Sequence, residues 1–235
     1  MYRRLIVVAL LAGASRAIAA QDTVLIPSDR EANAQVAQIV ASAEASGLPT
    51  NAIVGKVRFG VNVRRAKPRD IVAAARALAA RLELARTALA PNPSQLEIER
   101  GADALAEKAT PKELKAMRRA SGSQSLVVPL SVLTQLLANK VDVSRATEIV
   151  TELIRRGATS PQLTALGNDV QEDVGAGRLA NVAVEDRARG LTAVLAAEPG
   201  LGGDKVSAPA PADVSGGFLN AGQPRSGPPK PPKRP

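Results

Sequence analysis

Apolar residues recur at helical spacing along most of this chain, and polar residues fill the intervals. Between Pro68 and Leu89, the residues Ile71, Ala75, Leu78, Leu82, Ala85 and Leu89 follow one another at steps of four, three, four, three and four. That period lines all six along one stripe of an α-helix. Arg76, Arg81, Glu83 and Arg86 fall off the stripe and are expected to face water. Pro68 suits a first helical position, and Pro91-Asn92-Pro93 supplies the next stop. Such a helix is roughly 33 Å long, and its single apolar stripe requires other helices to cover it.

The same reading continues on both sides. Ser28 with Glu31 forms the spacing of a capping box ahead of Val36, Ile39, Val40 and Ala43, and Gly47 suits the stop. A short segment from Pro49 carries Ile53 and Val57, and is expected to weaken at Gly60 and the β-branched residues up to Val63. Ser94 with Glu97 and Thr110 with Glu113 predict two more capped helices, the second with Pro111 at its first position and Leu114 and Met117 behind it. After a polar break at 121–125 comes the most apolar helix, with Leu126, Leu130, Leu133, Leu136 and Leu137; Pro129 places its start near Val127 or Val128. Ser144 is the expected cap of a helix carrying Ile149, Val150, Leu153 and Ile154 and ending at Arg155-Arg156-Gly157. Ser160-Pro161 opens one with Leu163, Leu166, Val170 and Val174, broken at 175–177, and a last helix spans Val182 to Ala197.

The pattern predicts an all-α fold, a compact multi-helix bundle of about eight helices, with a short α-superhelical stack as the alternative. Short helices with proline near their start recur at Pro49, Pro111 and Pro161, but separations of 62 and 50 residues are too uneven for a strict repeat. The expected core holds Ile71, Leu78, Leu82, Leu133, Leu136, Ile149, Leu153 and Leu191.

Two segments read differently. Residues 1–20 have the parts of a secretory signal peptide: Arg3 and Arg4, an apolar run from Leu5 to Ala14, and small residues that place cleavage after Ala19 or Ala20. A run of ten residues is too short for a bilayer span, which needs about 20, and no later segment supplies one. The expected product is periplasmic or secreted, without a transmembrane segment after cleavage. From about residue 200 glycine, proline, serine and alanine take over, ending in Pro228-Pro229-Lys230-Pro231-Pro232-Lys233-Arg234-Pro235. That composition predicts a disordered, basic, proline-rich tail. The domains expected are therefore 1–20, a helical domain 21–199 and a tail 200–235.

Composition then narrows the chemistry. The 235 residues include 31 Lys and Arg against 22 Asp and Glu, and no Cys, His or Trp. Without His or Cys there is no Ser–His–Asp triad, no thiol nucleophile and no ordinary zinc site. The Ser-x-x-Lys, phosphate-loop, dinucleotide and EF-hand patterns are missing. Asp169, Glu172 and Asp173 share a helix face and offer paired carboxylates; a solvated acidic face is the expected reading, since a sugar site usually adds aromatic rings. No enzyme activity and no cofactor are expected.

One charge feature stands out. Lys56, Arg58, Arg64, Arg65, Lys67 and Arg69 place six cations in fourteen positions with no acid between them. The leader and the lack of stacking aromatics argue against nucleic acid. The expected role is a non-catalytic interaction or structural one, with an unknown protein partner. The alternative is binding of anionic cell-surface polymers or lipid head groups at this cluster, while a merely hydrated surface is the plain reading of any charge run.

Overall fold

A computed structural model describes Ile26 and residues 29–197. The leader and tail expectations lie outside these residues. Among the described residues the fold is all-α, with nine helices and no strand: α1 (Arg30–Ala45), α2 (Thr50–Asn62), α3 (Pro68–Ala88), α4 (Gln95–Ala106), α5 (Pro111–Ser121), α6 (Val127–Ala138), α7 (Val143–Arg155), α8 (Ser160–Gly175) and α9 (Ala180–Ala197).

The helices pack compactly in two rows. α1, α3, α5, α7 and α9 contact one another in succession, and α4, α6 and α8 do the same. α2 packs on α1 and α3, and the rows are joined by α3 on α4, α6 on α7 and α8 on α9. Every substantial helix contact therefore joins elements one or two places apart. The compact all-helical packing is the one expected, and its contacts run between near neighbours in the chain.

Five connections share one design, and it explains the layering. After α1, α4, α6, α7 and α8, a residue with positive φ follows the helix: Gly47, Lys108, Lys140, Gly157 and Gly177. Its N–H bonds back three residues, and the next N–H bonds back five, as in Leu48 N to Ala43 O (2.9 Å) and Val141 N to Leu136 O (3.1 Å). This is the Schellman ending. In four of the five the two residues joined by the longer bond are both apolar: Leu48 with Ala43, Ala109 with Ala104, Val141 with Leu136 and Ala158 with Leu153. In the first four the residue after that is the N-cap of the following helix, and in all five only four residues separate one helix from the next.

The central helix forms where its stripe predicts. Ile71, Ala75, Leu82, Ala85 and Leu89 are buried, joined by Val72 and Ala88. Leu78 is only half-buried, and so is Leu191 in α9; both pack on the rim of the core. Arg76 faces solvent, whereas Arg81, Glu83 and Arg86 are half-buried because α1 and α4 flank α3. Gly60 does not break α2. A Cβ there would lie 3.1 Å from Cγ1 of Ile71, so the glycine admits α3 and the helix continues to Asn62.

Caps shift by a residue or two from expectation. Asp29, not Ser28, caps α1 by accepting from Ala32 N at 2.9 Å. Asp142 caps α7, accepting from Arg145 N, so Ser144 lies inside the helix. Thr159 and Gln162 form the box that opens α8.

Candidate functional site

The basic cluster sits around the joint between α2 and α3. Val63 N and Arg64 N both donate to Phe59 O, at 3.0 and 3.1 Å, and Ala66 N donates to Gly60 O at 3.0 Å. Arg65 takes the left-handed conformation, with φ 47°. This tight reversal turns Arg64 and Arg65 outward. Lys67 precedes the first turn of α3, and Arg69 lies within it. All six cations of the cluster are exposed.

The structure does not gather the six onto one face. Lys56 and Arg58 are two apart on α2, which separates them by roughly 200° around the axis. Lys56 lines a groove of about 380 Å³ between α2, α3 and α4, with Ala52, Gly55, Phe59 and Arg81 among its neighbours. Arg58 leaves on the other side. Arg64, Arg65, Lys67 and Arg69 belong to the joint itself, where the positive end of the α3 dipole adds to their field. Arg64 lies over the Phe59 ring, 5.7 Å from its centroid.

Neutralisation separates this joint from α7 to α9, although Lys112, Lys115, Arg119 and Lys140 elsewhere also form no ion pair among the described residues. Among the described residues, Arg69 is the one of the six cations with a carboxylate in ion-pair reach, Asp70 at 3.6 Å, and both side chains are open to solvent. In α7 to α9, by contrast, Arg145, Arg155, Arg156, Arg178, Arg187 and Arg189 all hold carboxylates.

The acidic residues 169, 172 and 173 do not form an open carboxylate pair. Asp173 is buried and receives Arg187 at both oxygens, 2.8 Å from Nε and 3.0 Å from Nη2, together with Arg178 Nη1 at 2.9 Å. The Arg187 bonds, outweighing burial and joined by Arg178, hold its pKa below the ordinary carboxylate value. A carboxyl kept ionised in this way is a poor proton donor. Asp173 clamps α8 to α9.

A second clamp lies at the centre of the stack. Glu97 Oε2 accepts from Ser94 N at 2.8 Å, closing the capping box, while Oε1 accepts from Leu126 N and Arg118 Nη2, each at 2.8 Å. Arg118 also donates to Leu89 O at 3.1 Å and Gln124 O at 3.3 Å. One buried ion pair thus fastens the end of α3, the start of α4, α5 and the start of α6. Burial pushes the Glu97 carboxyl up, but the two amides and Arg118 prevail and hold its pKa below the usual range. The sequence signals only the Ser94–Glu97 half of this arrangement.

Among the described residues no cluster of acidic side chains is placed to hold a metal ion, and no helix is long and apolar enough to cross a membrane. The fold and site define a class, a compact all-α protein with an exposed basic corner at the α2–α3 joint. In comparison with known proteins, the chain matches no family model, no curated protein and no solved structure.

Proposed function

We propose that the protein is a non-catalytic binding protein of the cell envelope, periplasmic or secreted, whose contact surface is the basic joint between α2 and α3. Its partners are anionic cell-surface polymers or lipid head groups. The supporting observation is the contrast in neutralisation: the cations of this joint have almost no carboxylate partners, while those of α7 to α9 are all paired. Unpaired surface cations attract polyanions and release counter-charges on contact, and salt weakens that attraction. The envelope location rests on the order of charged, apolar and small residues in positions 1–20.

The test uses polyphosphate as a soluble polyanion, at rising salt. Replacing Arg64, Arg65, Lys67 and Arg69 by Gln should abolish binding at low salt. A control losing four exposed cations elsewhere, Lys112, Lys115, Arg119 and Lys140, has the same net charge. Equal losses in the two variants would reduce the joint to its share of net charge and remove the proposal.

A further inference from the structure

We infer that the basic joint docks on an anionic lipid bilayer, with Phe59 and Val63 entering its interface. This rests on the polyanion-binding reading above and chooses one partner within it. Phe59 is the one aromatic residue among the described residues, and it is 43% exposed. Val63 is 65% exposed. The two are four residues apart at the end of α2 and so share a side of it. Single exposed apolar side chains are ordinary on protein surfaces. These two lie one helical turn apart, and Arg64, Arg65 and Lys67 follow them in the chain with no acid between, while Glu99 and Asp103 of α4 line the groove on the inner side of Phe59.

A soluble polyanion gives no reason for this pairing, because its charged groups gain nothing from a valine and a phenylalanine held in water. A bilayer rewards both halves. Cations meet the head groups, and apolar side chains at the same level enter the boundary with the acyl chains. The Arg64 guanidinium over the Phe59 ring binds the two halves together, since an arginine on a ring face keeps its charge outward while the ring edge stays free.

The chain contains no tryptophan, so Phe59→Trp in the full chain creates a single reporter at the contact. With vesicles of phosphatidylglycerol and phosphatidylcholine its emission should shift to the blue and be quenched by brominated acyl chains. Polyphosphate should bind without that shift. Val63→Ser should weaken the vesicle response about five- to tenfold, as expected for losing part of a buried side chain, and leave polyphosphate binding unchanged. Adding the Arg64, Arg65, Lys67 and Arg69 to Gln changes should remove the blue shift, at about fivefold per cation. Unshifted emission from the Phe59→Trp reporter on bound vesicles overturns the inference, and the polyphosphate comparison then decides the polyanion reading separately. A blue shift that survives the four changes overturns it as well, because contact would then not depend on the basic joint.

Discussion

At Glu97 two oxygens accept three hydrogen bonds, and at Asp173 two oxygens meet two guanidinium groups. Glu97→Ala or Arg118→Ala leaves the other charge buried and unpaired, and should cost about 3–5 kcal/mol in chemical unfolding. Both carboxyls have folded pKa values below their ordinary ones. Their contribution is thus complete above the unfolded carboxylate range, near pH 4, and is lost as pH falls through the lower folded values. Melting curves should show stability falling as the pH drops below about 5. The double change Glu97→Gln with Asp173→Asn should be less stable at pH 7 and flatter with pH. Of this, the Ser94–Glu97 spacing was legible because a cap is local. Arg118 lies 21 residues away from its partner, and no periodicity records that meeting. Lys108 and Lys140 are a smaller case: they hold the positive-φ positions that glycine fills in the other three joints of this kind. Lys108→Gly and Lys140→Gly should each raise stability by about 0.5–1 kcal/mol, through relief of the left-handed strain.

At the scale of the element, α3 shows how far a stripe can be read. The period correctly places Ile71, Leu82 and Leu89 in the core, but it ranks Leu78 with them although Leu78 sits on the rim. Which edge of a stripe meets a neighbour depends on where α4 and α1 lie, and that is not written in α3. Leu82→Ala should cost about 2–5 kcal/mol, and Leu78→Ala clearly less. Reversal of that order in denaturant titrations would show the stripe turned around. Gly101 in α4 marks the closest approach to α3. A Cβ there would lie 3.0 Å from both Ala85 Cβ and Leu89 Cδ1. Gly101→Ala gains helix propensity, yet it should destabilise by about 1–3 kcal/mol, because two packed helices must part. Glycine in a helix reads as weakness in the sequence; here, as at Gly60, it reports a neighbour.

At the scale of the whole molecule, the all-helical class was legible because local spacing and caps decide helices. The order of the two rows was not, since it depends on joints whose repeating element is a backbone conformation. Gly47, Lys108, Lys140, Gly157 and Gly177 play one role with different side chains, so comparing residues along the chain conceals the repetition that comparing dihedral angles reveals. The basic joint was legible as a run of charge, but not its division: Lys56 and Arg58 diverge around α2, and four cations remain at the turn. The quadruple Gln variant of that turn should keep the wild-type melting temperature within a degree or two, since exposed charges contribute little to stability. Calorimetry showing a large drop would make those arginines structural.

The succession of near-neighbour contacts also bears on how the molecule opens. Among the described residues no substantial contact joins distant parts of the chain, so the end helices are held from one side while those in the middle are held from several. Amide protons should then exchange with solvent in a graded order, fastest in α1 and α9 and slowest in α4 and α6, where Glu97 fastens the backbone of Leu126. The α2–α3 joint, near the quicker end, can loosen to fit an uneven surface while the centre of the stack stays shut.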